Sequence, residues 1–119
     1  MAADTASETS TETPTEPIHI DGQAHLQEVA DEYDVLLTDF YADWCGPCKM
    51  LEPTVETLAA ETDAAVAKVD VDANQQLAAA FGVQGVPTLL LFVDGEQAES
   101  IVGVQGEDQL RSLIQQYTE

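Results

Sequence analysis

Asp39-Phe40-Tyr41-Ala42-Asp43-Trp44-Cys45-Gly46-Pro47-Cys48-Lys49 carries both cysteines of the chain, at a point where one backbone pattern gives way to another. Upstream, Val35 to Ala42 is nearly continuous apolar sequence, the pattern of a central strand covered on both faces. Downstream, Met50, Leu51, Val55, Leu58 and Ala59 fall near helical spacing within Lys49 to Ala60. Pro47 suits the first turn of a helix, where its missing N–H is not needed. The spacing therefore predicts a strand-to-helix junction with Cys45 at or just before the helix start.

That placement has chemical consequences. Residues three apart on a helix have Cβ atoms about 5–6 Å apart, and bonded cysteines need about 3.5–4.5 Å. A slightly tightened first turn brings the two sulfurs within bonding reach. At an N-cap, the Cys45 sulfur can accept a hydrogen bond from the Cys48 N–H. The positive end of the helix dipole also favours a thiolate there. Cys48, one turn in, is expected to be the more sheltered sulfur and the later to ionise. An exposed, activated thiol backed by a shielded one is what dithiol exchange requires. A structural zinc site needs four ligands, and His19 and His25 lie upstream without paired spacing, so no metal is expected. A purely structural disulfide across so short a loop would remove little unfolded-state entropy.

Asp39 interrupts the apolar strand that leads into the cysteines. An ionised carboxylate inside such a strand is costly unless paired or protonated, which makes Asp39 a candidate functional residue. The plainer reading is a carboxylate turned to solvent at the end of a sheet.

The 119 residues suit one domain with a single core, and 45% hydrophobic content fits a globular chain. No run of about 18 apolar residues is present, and the N-terminus shows neither a basic nor an apolar signal region, so a cytoplasmic protein is expected. Two cysteines in a reactive spacing fit a reducing compartment. Three Lys plus Arg stand against 23 Asp plus Glu, a formal charge of −20. Such a surface lacks the cations that phosphate contacts need, which argues against nucleic acid and anionic membranes as partners. Its self-repulsion would be relieved by concentrated salt, because the Debye length falls from about 10 Å at 0.1 M to about 3 Å at 1 M. A salt-adapted source is the expectation; an ordinary acidic protein or a surface shaped for basic partners are the alternatives.

Residues 1–17, dominated by Ala, Ser, Thr, Glu and Pro, read as a disordered acidic tail, and 18–119 as the folded domain. Ile18-His19-Ile20 suggests a short edge strand, and Asp21 a cap for a helix to about Tyr33 with Leu26, Val29 and Ala30 on its buried side. His19 and His25 read as surface or partly packed residues. Pro53 falls inside the helix after the cysteines and should kink it. Residues 64–71 form the next strand, with Lys68 inside it, and Asn74 to Phe81 a short helix. Pro87 belongs at a strand's first position. Thr88–Val93 and Gln97–Val102 flank Asp94-Gly95, a hairpin signal. A last helix has Glu107 and Asp108 in its first turn and an apolar stripe of Leu110, Leu113, Ile114 and Tyr117. The order is β-α-β-α-β-α-β-β-α, an α/β fold whose mixed central sheet has helices on both faces.

Trp44-Cys45-Gly46-Pro47-Cys48-Lys49 resembles the active site of the thioredoxin family. Asp39-Phe40, Pro53, Val86-Pro87-Thr88, Asp94-Gly95 and Val102-Gly103 follow in the family's order, so the resemblance covers residues 18–119. It implies the thioredoxin fold and a protein disulfide reductase, with Cys45 the nucleophile, Cys48 the resolving thiol and the Cys45–Cys48 disulfide as the only redox group. It implies that Asp39 assists proton transfer at Cys48 and that Lys68 balances Asp39. It implies a cis Val86–Pro87 bond and a docking face of Trp44, Gly46, Pro47, Val86, Pro87 and Gly103 for disulfide-containing proteins. A thioredoxin reductase would supply electrons to a monomer. Tyr41 stands where many members carry Trp, and Asp43 where Glu or Lys is commoner. An oxidase or isomerase of the same fold, a non-catalytic binding subunit, and a donor dedicated to one enzyme remain open alternatives.

Overall fold

The computed structural model describes residues 13–118. The expected acidic tail lies outside the described residues as far as residue 12, and residues 13–17 carry no helix or strand. The elements are β1 (Ile18–His19), α1 (Gln23–Glu32), β2 (Val35–Tyr41), α2 (Gly46–Glu61), β3 (Ala65–Asp70), α3 (Gln75–Ala80), β4 (Thr88–Val93), β5 (Glu96–Val102) and α4 (Glu107–Thr118). Their order is the one read from the sequence, with boundaries that differ by a residue or a few.

The five strands form one sheet in the order β1-β3-β2-β4-β5. β1 and β2 run parallel to β3, while β4 pairs antiparallel with β2 and β5 antiparallel with β4. Strand side chains alternate between faces, and the two cores follow that alternation. Leu36, Phe40, Ala67, Val69, Leu90 and Phe92 pack against Leu26, Val29 and Ala30 of α1 and Leu77 and Ala78 of α3. Val35, Leu37, Val66, Leu89 and Leu91 pack against Leu51, Val55, Leu58 and Ala59 of α2 and Leu110 and Ile114 of α4. By the same parity Asp39 and Lys68, register partners across β2 and β3, fall on the α2 side of the sheet. The sheet thus delivers a carboxylate and an ammonium to the underside of the cysteine helix.

Two expectations change in detail. Asp21 does not cap α1: Gly22 is the N-cap, at φ 92°, a conformation glycine adopts without strain. The Asp21 N–H donates instead to His25 Nδ1, and the Gly22 N–H to Asn74 Oδ1, each at 2.9 Å, which ties the start of α1 to the start of α3. Met50, counted in the apolar stripe of α2, is 73% exposed, because that stripe runs through Cys48, Leu51, Val55, Leu58 and Ala59. Pro53 lies inside α2, as read, and forfeits one backbone bond. The Asp94-Gly95 hairpin forms as read, with both residues at positive φ and Val93 opposite Glu96.

Candidate active site

Cys45 is the N-cap of α2, with extended backbone at φ −90° and ψ 111°, and Pro47 follows in the first turn. The Cys48 N–H donates to Cys45 Sγ at 3.1 Å. The two sulfurs are joined in a disulfide with Cα atoms 5.3 Å apart. The expected contrast in exposure is absent in this oxidised form: Cys45 is 4% and Cys48 5% exposed. Both cysteines pack in one cluster with Ala42, against Tyr41, Val71 and Val86. What separates the two sulfurs is their surroundings. Cys48, and not Cys45, lines a cavity of about 290 Å³ that also takes in Asp39, Tyr41, Asp43, Lys49, Glu52 and Lys68.

Asp39 is 1% exposed, and its Oδ1 meets no hydrogen-bond donor among the described residues. Burial pushes its carboxyl up to about 6; Lys68 opposes that rise and Glu52 adds to it. The alternative of a solvent-facing carboxylate is therefore set aside. Lys68 lies beside Asp39 in register, yet its ion pair is with Glu52, Nζ to Oε2 at 3.0 Å, and its Nζ stands 4.5 Å from the centre of the Tyr41 ring. Glu52 was missed in the sequence because it is one acid among 23. The available signal was its position four residues after Cys48, which puts both on one helical face.

The Val86–Pro87 bond is cis, as the resemblance implies. Val86 packs on the cysteine cluster, Pro87 is buried, and the Gly103 N–H donates to the Pro87 carbonyl at 2.9 Å. Gly46 and Pro47 are exposed beside the disulfide. Trp44 is 71% exposed, with Nε1 donating to Asp72 Oδ2 at 2.9 Å. Asp72 too escaped the sequence reading, since it reaches the site from the turn after β3. Met50, Val102 and Val104 are further exposed apolar side chains. Among the described residues, no group of three or more His, Cys, Asp or Glu could hold a metal ion, and no helix is long and apolar enough to cross a membrane.

A sulfur pair that bonds and unbonds within one helical turn stores two electrons and can exchange them with another disulfide. The fold and this site define a dithiol–disulfide oxidoreductase. Residues 16–116 match the thioredoxin family model. A thioredoxin from Chlamydia muridarum is 48% identical over 84 residues, 70% of this chain and 82% of that one. One from Mycobacterium bovis is 44% identical over 92 residues, 76% of this chain and 79% of that one. Among solved structures, a single-site mutant of a thioredoxin from Halobacterium salinarum shares 64% identity at a TM-score of 0.89, covering 92% of this chain and 96% of its own. The thioredoxin of Fasciola hepatica shares 35% identity at a TM-score of 0.79, covering 85% of this chain and 99% of its own. The chain belongs to the thioredoxin family. Its activity is protein disulfide reduction through the Cys45–Cys48 pair, and the family needs no cofactor beyond that redox-active disulfide.

Proposed function

We propose that this chain is a general cytoplasmic reductant of protein disulfides, with Cys45 as nucleophile, Cys48 as resolving thiol and Asp39 as proton acceptor for Cys48. The observation that carries the assignment is the asymmetry of the pair: Cys45 caps α2, while Cys48 faces the cavity that holds Asp39. The helix dipole and the Cys48 N–H favour a thiolate on Cys45. That thiolate attacks one sulfur of a partner's disulfide, and the other partner sulfur leaves with the bonding electrons. Cys48 then passes its proton to the Asp39 carboxylate and attacks Cys45 Sγ. The bond from Cys45 to the partner breaks, the second partner sulfur departs as thiolate and takes up a proton, and Cys45–Cys48 closes. Two electrons have moved from the cysteine pair to the partner's cystine.

Lys68 tunes Asp39 through its charge, since it works against the rise that burial imposes. Trp44, Gly46, Pro47, Val86, Pro87 and Gly103 form the docking face, where backbone beside Pro87 pairs with an extended segment of the partner. Their lack of charge suits a face that must approach many partners from a surface of net charge −20. The same charge supports a working medium of molar salt. A thioredoxin reductase returns the electrons, and the chain acts as a monomer.

The test is reduction of insulin by the full chain with dithiothreitol, in potassium chloride from dilute to molar. Turbidity is expected at every salt concentration that keeps the protein folded. Cys45→Ser should abolish it, and Cys48→Ser should accumulate mixed disulfides with a range of cellular proteins. Folded protein that never accelerates insulin reduction would overturn the assignment. Capture of a single partner would replace a general reductant with a dedicated donor.

A further inference from the structure

The cavity beneath Cys48 brings together more charge than the exchange reaction has so far been assigned. From β2 come Asp39 and Tyr41, with Asp43 just beyond; from α2 come Cys48, Lys49 and Glu52; from β3 comes Lys68. On the β4 side Asp39 is paired with Leu89, which brings no charge. Lys68 is the cation the sheet sets beside Asp39, 7% exposed and so confined to this space. Its ammonium nevertheless makes its ion pair with Glu52 at 3.0 Å and lies 4.5 Å from the centre of the Tyr41 ring. Lys68 and Asp39 form no ion pair, and among the described residues Asp39 Oδ1 stays without a donor.

We propose that Glu52 is a positioning residue for the resolving step: with the Tyr41 ring it holds the Lys68 ammonium off Asp39, leaving that carboxyl free to take the Cys48 proton. The proposal rests on the reading of Asp39 as that proton acceptor. A carboxylate locked to an ammonium is stabilised as the anion and becomes a weaker base. The same carboxylate, buried and without that lock, keeps more of its affinity for a proton and accepts one from a thiol more readily. Lys68 close by but turned aside keeps Asp39 ionised at neutral pH without neutralising it. Glu52, with its side chain half-exposed, can hold Lys68 at little desolvation cost to itself.

Two measurements on the full chain in molar potassium chloride test this. The first is the Asp39 carboxyl midpoint in the oxidised protein, read by carbon NMR titration. The second is the resolving step itself. Reduced protein is mixed with one equivalent of dithionitrobenzoate, where attack by Cys45 releases one coloured thiolate and attack by Cys48 the second. Glu52→Gln should lower the Asp39 midpoint by about one pH unit as Lys68 swings onto the carboxylate. It should slow the second release at neutral pH by about threefold, for a Brønsted sensitivity of about 0.5 like that of thiolate attack. The first release should be unchanged. In a Lys68→Met background, the effect of Glu52→Gln on the midpoint should shrink to the part due to direct repulsion between the two carboxylates.

An equal effect of Glu52→Gln with and without Lys68 would overturn the positioning role, because direct repulsion between carboxylates would then suffice. So would an unchanged midpoint in Glu52→Gln. Asp39→Asn keeps the underlying reading separate: a slowed second release supports Asp39 as acceptor whatever Glu52 does. An unchanged second release in Asp39→Asn would remove the acceptor, and this proposal with it.

Discussion

Replacing Asp39 by asparagine should make the oxidised protein more stable at neutral pH, by an amount that shrinks as the pH falls. Folding raises the carboxyl from 3.8 to about 6, chiefly by burial, which is the reverse of the usual shift for a paired aspartate. Between those two values the native state binds more protons than the unfolded chain. Stability from this group is therefore complete below 3.8 and is lost as the pH rises through the folded value. At about 1.36 kcal/mol per pKa unit, the rise from 3.8 to about 6 leaves the native state about 3 kcal/mol less stable once Asp39 is ionised. The loss is about 1 kcal/mol near pH 4.5 and about 3 kcal/mol near pH 7.5.

Asparagine has nearly the same shape and never ionises, so the difference between the two proteins isolates Asp39 from the other carboxylates, which titrate in both. Urea unfolding of the oxidised forms in molar potassium chloride reads that difference directly. With an m-value of about 1.5 kcal/mol/M, the variant's midpoint should lie about 2 M higher near pH 7.5 and less than 1 M higher near pH 4.5. A fixed offset between the two proteins across that range would refute the reasoning, since hydrogen bonding and packing differences do not follow the ionisation of one group. A variant less stable than the parent near pH 7.5 would refute it more directly. The disulfide must remain closed throughout, because reduction puts a second titrating group, Cys48, in the same cavity.

Leu58→Ala should cost about 2–5 kcal/mol, because Leu58 is fully buried between α2 and the sheet; a loss under 1 kcal/mol in urea unfolding would mean that this core relaxes to fill the space. Gly95→Ala should cost about 1–2 kcal/mol, since Gly95 sits at φ 86° and a Cβ there would come within 2.6 Å of Asp31 Oδ1. Asp31→Ala in the same chain should recover only the part due to that contact, and the thermal midpoint of each variant measures the split. The thermal midpoint of the parent should rise between dilute and molar potassium chloride, as screening shortens the reach of the charges from about 10 Å to about 3 Å; a flat profile would remove the case for a high-salt medium.

The fold was legible because its signals are local. The apolar run from Val35 declares a buried strand, the Asp94-Gly95 pair a hairpin, and the spacing from Leu51 to Ala59 a helix face. Strand parity puts Asp39 and Lys68 on one side of the sheet only once the register that pairs them across β2 and β3 is known. What the sequence did not yield were choices made through space. Asp21 and Gly22 are adjacent, and either could begin α1; the bond from the Gly22 N–H to Asn74 decides between them from far along the chain. Lys68 had several carboxylates within reach, and its selection of Glu52 depends on where α2 crosses β3. Met50 and Leu51 are both apolar neighbours, and the phase that buries Leu51 and exposes Met50 is set by Cys48 facing inward. Trp44 and Asp72 meet only because two loops end on the same side of the sheet.

The placement of positive charge sharpens the case that the cavity is a working part of the protein. The chain has three basic residues, and two of them, Lys49 and Lys68, line the space beneath Cys48. Arg111, the third, joins Glu61 to Glu107 and so clamps α4 to α2. Were the cavity only packing, an apolar filling would serve it better than Asp39, Glu52 and two lysines, since buried ion pairs seldom exceed well-packed hydrophobic residues in stability. Asp39 makes the cost explicit at about 3 kcal/mol at neutral pH, a large share of a stability that in domains of this size is about 5–15 kcal/mol. A sacrifice of that size beside a disulfide is intelligible if the carboxylate handles a proton that the disulfide chemistry must move. It also explains why Lys68 is inside rather than out. Removed to the surface, it would be one more cation in concentrated salt; held under Cys48, its field is screened much less and bears on Asp39, the carboxylate proposed above to take the Cys48 proton.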